Sequence, residues 1–204
     1  MFFNYSALRR TPKKPITEGG FTLVELMISI SIMVIVASII LTRQTAFNGA
    51  VLLRSQAYEV ALQVRAVQLN AVSAGAVADT NVFRSVQGVS FDAATSSNSQ
   101  YRIFRDGSSG QVGFYDSGEA FGIQGLLDKR FEIRAVRAVG DTITGTEVSV
   151  VFVRPNFDAR FFDSTGELNA SSVEVDIARK GITGTGEGVL RTLEITSTGQ
   201  ITVQ

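Results

Sequence analysis

The order of apolar and polar positions divides the chain into three regimes. From Phe21 to Leu41 runs an uninterrupted apolar stretch of 21 residues whose single ionisable side chain is Glu25. At ~1.5 Å per residue it predicts a helix about 31 Å long, close to the thickness of a bilayer's hydrocarbon core. Beyond it, Leu53, Ala57, Val60, Val64, Val67 and Ala71 recur at the i, i+4, i+7 spacing of a helix that buries one face. Gln56, Glu59, Gln63 and Asn70 fall together on the opposite face, Asn48-Gly49 is expected to loosen the junction between the two halves, and Gly75 is the expected stop.

After Gly75 the period changes to two. Strands are predicted at residues 81–91, 100–105, 111–115, 130–139, 147–153, 173–179, 189–196 and 200–203, separated by turn-rich segments such as Asp106-Gly107-Ser108-Ser109-Gly110 and the glycine-rich 181–188. Arg134 and Arg137 punctuate one apolar strand, and Glu174 and Asp176 alternate with Val173, Val175 and Ile177, as in half-exposed antiparallel strands. The expected class is α+β. Residues 1–20 form a basic leader, 21–41 a transmembrane helix, 42–74 its amphipathic continuation, and 75–204 a β-rich head with one core.

Charge sharpens the first regime. Arg9, Arg10, Lys13 and Lys14 against Glu18 give the leader a net +3, which holds the N-terminal side in the cytoplasm. A carboxylate inside an apolar span costs on the order of 3 kcal/mol or more, so Glu25 is a functional candidate that needs a partner. A secretory signal would be cut after its apolar core at small residues, but the run closes on Ser38-Ile39-Ile40-Leu41-Thr42-Arg43. Cleavage between Gly20 and Phe21 would instead free an α-amine, of pKa ~8, four residues before Glu25.

Gly20-Phe21-Thr22-Leu23-Val24-Glu25-Leu26, with this leader and apolar tail, resembles the N-terminal motif of type IV pilins and type II secretion pseudopilins. The resemblance implies cleavage by a prepilin peptidase after Gly20, N-methylation of Phe21, and assembly of a filament through Phe21 and Glu25. Each residue type has a physical reason. Glycine places the least bulk beside a scissile bond, and methylation keeps the amine's charge while removing donors. Two unit charges ~4 Å apart at an effective dielectric of about 20 attract by roughly 4 kcal/mol. A subunit entering a filament with Glu25 unpaired forgoes that attraction, so the pair acts as a register check. Many pilins carry proline or glycine within this helix, and this chain has neither between Phe21 and Phe47.

The head is similar to that of H-type (GspH/FimT) minor pilins and pseudopilins. Similarity rests on Val148 to Asn156, Val173 to Ile177, the closing Arg191 to Val203 through Gly199, and Arg54-Ser55-Gln56-Ala57 with Arg65-Ala66. The implied fold is pilin-like. Implied partners are other pilin or pseudopilin subunits, the peptidase, an inner-membrane assembly platform and, before assembly, membrane lipid. The implied location is the inner membrane, single-pass, followed by a periplasmic or extracellular filament. Pilus and secretion pseudopilus, and major and minor subunit, stay open, because the 20-residue leader is long for the short-leader class in which Phe21 is typical.

Composition excludes several chemistries. With no histidine and no cysteine, triads, zinc sites and thiol chemistry drop out, and the head folds without the disulfide of major pilins. Asp116/Glu119, Asp163/Glu167 and Glu174/Asp176 read as solvated surface. Asp158, Asp163 and Glu167 around Gly166 match no defined calcium loop. The 181–188 loop lacks the lysine and helix of a phosphate-binding loop and reads as a flexible hairpin. No metal, cofactor or catalytic residue is expected, and the chain reads as a structural subunit. Two alternatives stay open. One is a tip-located minor pilin that binds DNA during uptake through Arg130, Arg134, Arg137, Arg154 and Arg160, against a net charge of −3 once the leader is gone. The other is an uncut membrane-anchored β-domain receptor.

Overall fold

The computed structural model describes residues 19–73, 86–107, 110–152 and 156–204, apart from the side chains of residues 42, 43, 45 and 46. It divides into two compact units, Met1–Arg43 and Gln44–Gln204. One helix, α1 (Leu23–Ser73), contributes its first turns to the former and its remainder to the latter. The expected stop at Gly75 lies outside the described residues.

In the first unit, Leu23–Leu41 has a mean hydropathy of 2.6 and none of it is buried. Ser29, Ser31 and Ser38 do not create a polar face. Each hydroxyl donates to the carbonyl four residues back, of Glu25, Met27 and Val34, at 2.8 Å. The helix also continues through Asn48-Gly49 without a break. The loosened junction expected there is replaced by a packing contact. A Cβ on Gly49 would stand 2.7 Å from the Arg179 guanidinium, so glycine lets that cation lie against the helix.

Among the described residues the second unit has ten strands, and their pairings are antiparallel. In chain order they are β1 (Gln87–Asp92), β2 (Gln100–Arg105), β3 (Gly125–Leu126), β4 (Phe131–Val139) and β5 (Glu147–Phe152). β6 (Ala159–Asp163), β7 (Gly166–Leu168), β8 (Ser172–Arg179), β9 (Leu190–Thr196) and β10 (Ile201–Val203) complete them. They form a six-stranded sheet, β3-β2-β1-β5-β6-β7, and a four-stranded sheet, β10-β9-β8-β4. The α+β, pilin-like class expected from the sequence is the one observed.

Leu53, Ala57, Val60, Val64, Val67 and Ala71 are all buried, in one core with Val89, Phe91 and Phe161 of the larger sheet and Ile133, Val175 and Ile195 of the smaller. Of the four residues placed on the opposite face, Gln56 departs. It is buried, and its carbonyl accepts from the Asp128 N–H at 3.1 Å. Gln68 is fully buried as well. Its amide donates to the carbonyls of Phe157 (2.8 Å) and Gly199 (2.9 Å), clasping the 156–158 segment and the β9–β10 turn to α1.

β1 is buried along its whole length. Its second face lies under a smaller cluster of Phe104, Val151 and Phe162 with Phe114 and Tyr115. Residues 111–115, predicted as a strand, form a turn that supplies part of this cover. Two of their N–H groups go to carboxylates instead of a ladder, Gln111 N–H donating to Asp116 (2.9 Å) and Gly113 N–H to Asp106 (2.7 Å), while Phe114 N–H donates to the Gln111 carbonyl and Tyr115 N–H to the Ser149 hydroxyl. Burial pushes the Asp106 carboxyl above its ordinary value. The Gly113 N–H opposes that shift, while Glu119 and Asp116 reinforce it. A raised carboxyl contributes stability below the carboxylate range and loses it as pH rises. Asp106→Asn is therefore expected to raise the thermal midpoint at pH 7, with the gain shrinking as pH falls through the carboxylate range and the native carboxyl takes up its proton. Melting curves at pH 7 and through that range check it.

The stretch between the strands predicted at 147–153 and 173–179, for which no strand is predicted, contains the hairpin β6–β7. Phe161 faces the main core and Phe162 the smaller cluster, so the two-sided burial hides the alternation. Asp163 organises the turn, accepting from Thr165 N–H (2.8 Å) and Oγ1 (2.7 Å), Gly166 N–H (3.1 Å) and Thr144 N–H (2.8 Å). Burial alone would raise its carboxyl, and these bonds outweigh it and hold the group below its ordinary value.

Candidate functional site

Gly19 to Thr22 carry no regular structure and are exposed, with open space around both glycines. Phe21 is 80% exposed. The helix begins immediately after, and Thr22 begins it. The Thr22 carbonyl accepts from Leu26 N–H at 3.1 Å, and its hydroxyl accepts from Glu25 N–H at 3.2 Å. Thr22 is thus the N-cap and Glu25 the third helical residue, the T-x-x-E arrangement of a capping box. That signal stands in the sequence, and the pattern reading passed over it. An acidic residue in the first turn also meets the positive end of the helix dipole.

This geometry divides the segment by role. The Gly20–Phe21 bond sits in non-helical backbone two residues before the helix, open to an enzyme that grips extended chain. Glu25 sits on a first turn already ordered by its cap. An amine freed at Phe21 would stand one residue before the N-cap, in the same turn region as the carboxylate. The leader charges Arg9, Arg10, Lys13, Lys14 and Glu18 lie outside the described residues.

The arginines singled out for phosphate contact are engaged within the protein. Arg130 forks onto Asp128 at 2.8 and 3.0 Å. Arg134 occupies a bulge in β4 and donates to the carbonyls of Arg179 (3.0 Å), Ile182 (2.6 Å) and Gly184 (3.2 Å). Arg137 bridges Glu174 (3.0 Å) and Asp176 (2.5 Å), and Arg160 pairs with Glu167. Arg154 lies outside the described residues. The structure therefore does not gather these four as a free basic patch.

The acidic pairs are likewise spoken for. Glu174 and Asp176 share Arg137, so they are not bare surface, and Asp176 is buried. Asp163 is consumed by its turn, Glu167 by Arg160, and Asp158 accepts from the Asn156 amide at 3.2 Å. Asp116 N–H donates to Glu119 (3.0 Å), whose other oxygen accepts from Gly107 N–H (2.7 Å). Among the described residues no three acids converge as metal ligands would.

A family model described as the prokaryotic N-terminal methylation motif matches residues 17–41. The match takes in Gly20, Phe21, Glu25 and the apolar span, and the chain therefore carries the prepilin-type motif of type IV pilins and pseudopilins. Comparison with curated proteins and with solved structures gives no match.

Proposed function

We propose that this chain is a structural subunit of a type IV pilus or type II secretion pseudopilus. A prepilin peptidase cuts it after Gly20, Phe21 is N-methylated, and an inner-membrane assembly platform polymerises it through the N-terminal helix. Before assembly it is a single-pass inner-membrane protein with a cytoplasmic N-terminus. The filament, periplasmic or extracellular, is its working state, and it carries out no catalysis.

The observation that carries this reading is a fully exposed apolar span whose single charge, Glu25, stands on a capped first turn just past an exposed Gly20–Phe21 bond. Lipid covers such a surface in the membrane, and neighbouring helices cover it in a filament. Further along α1, Phe47, Val51, Tyr58, Leu62 and Leu69 repeat at spacings of four and seven and stay exposed, which supports packing against neighbours there too. The hairpin through Gly199 favours the H-type subclass as the finer reading. The DNA-uptake reading loses support with the engagement of Arg130, Arg134, Arg137 and Arg160.

Intact-mass and N-terminal peptide analysis of protein from native membranes tests the proposal. A chain that begins at Phe21 with one added methyl group is expected. A chain that still begins at Met1 would leave Glu25 without its counter-charge and favour the uncut receptor.

A further inference from the structure

The basic side chains of the second unit sort by partner. Among the described residues, six arginines lie within salt-bridge distance of a carboxylate. Arg54 and Arg105 lie over the rings of Tyr58 and Phe121, and Arg65 donates to Gln68. Lys129, Arg179 and Lys180 remain, with no carboxylate within salt-bridge distance and no ring or side-chain amide partner among the described residues, though the Asp128 carboxylate feels the charge of Lys129. All three line one pocket of about 430 Å³, with Asn48, Gly49 and Leu52 of α1. No acidic side chain lines it, and Asp128, next to Lys129, is already held by Arg130. Gly49 is what lets the Arg179 guanidinium reach the helix.

We propose that this pocket binds a phosphate-type anion, and that its ligand is the headgroup phosphate of an anionic phospholipid. Three cations outside any salt bridge, around a concavity that no acidic side chain lines, create a field that a compact anion relieves. Leu52, Phe131 and Ile182 give the pocket an apolar wall, which suits an amphiphile better than a free ion. Position along the chain points the same way. Asn48 follows Leu41, the end of the apolar span, by seven residues, at most ~25 Å even if fully extended. The lipid source rests on Leu23–Leu41 crossing a membrane. The pocket is also too confined to follow a polynucleotide backbone.

The test uses the full chain in a neutral detergent, titrated calorimetrically with dihexanoyl phosphatidylglycerol, dihexanoyl phosphatidylcholine, inorganic phosphate and a single-stranded oligonucleotide. Phosphatidylglycerol is expected to bind in preference to phosphatidylcholine. Combining Lys129→Ala with Lys180→Ala should weaken it ~25-fold, about fivefold for each cation removed near a headgroup. Lys129→Arg with Lys180→Arg should retain binding, and Arg160→Gln, the loss of one positive charge outside the pocket, should leave it unchanged. Circular dichroism confirms that the variants fold. Equal binding of the two lipids, undiminished binding by the alanine pair, or capture of the oligonucleotide in place of lipid would overturn the proposal. Phosphate binding without phosphatidylglycerol binding would keep the anion pocket and overturn the lipid as its ligand. Because the lipid is offered in solution, the result does not depend on the span, which carbonate extraction of membranes tests separately.

Discussion

Gly199→Ala is expected to destabilise the second unit by about 4 kcal/mol, at the severe end for a single substitution. Gly199 turns β9 into β10 with a φ of +79°, a conformation that an L side chain adopts with strain. Space is the larger obstacle. A Cβ would fall 1.8 Å from the Phe157 carbonyl oxygen and 2.6 Å from the Gln68 amide nitrogen. The first is backbone and the second is buried and bonded to that same oxygen, so neither gives way cheaply. Relief means breaking the clasp and leaving a buried amide unpaired, which itself costs ~1–3 kcal/mol. Thermal unfolding followed by circular dichroism should show a midpoint lower by about 10 °C or more. Gly186→Ala, where a Cβ meets nothing within 4 Å, should change it little.

Glu25→Gln is expected to abolish filament incorporation while leaving cleavage after Gly20 intact. Glutamine serves the third position of a capping box as glutamate does, so the helix still starts at Leu23. Only the charge is lost, and with it an attraction to the Phe21 amine of roughly 4 kcal/mol, or about a thousandfold in the assembly equilibrium. Thr22→Val removes the hydroxyl that accepts from Glu25 N–H, and should cost ~1 kcal/mol of helix stability with the charge in place. Sheared-filament yield and the N-terminal mass of each variant separate the two contributions. Filaments at native yield from the glutamine variant would show that the carboxylate has no electrostatic part in assembly.

The contrast between these two sites follows the range of the forces that make them. The N-terminal site was legible because everything in it is local: a glycine, an aromatic residue and a carboxylate within six positions, ahead of an apolar run. The buried stripe of α1 was legible because packing one helix face imposes its own period. Residues 111–115 were not, since the N–H groups of Gln111 and Gly113 are taken by Asp116 and Asp106, and no periodicity announces a ladder replaced by side chains. Nor was the engagement of Arg137, whose acids lie 37 and 39 positions away. Gln56 falls on the face opposite the buried stripe, and no apolar period marks Gln68. Their burial depends on carbonyl and N–H groups brought to them from distant turns.

The Gln68 clasp has a consequence for the order in which the molecule is made. Gln68 leaves the ribosome long before Phe157 and Gly199, the groups it will bind, which follow 89 and 131 residues later. The first strands can pair while this amide is still solvated. The turn from β9 to β10 closes the lock. A nascent chain that stalls or is clipped before Gly199 thus lacks one of the two carbonyls that this amide binds, and its α1 is left without half of the clasp.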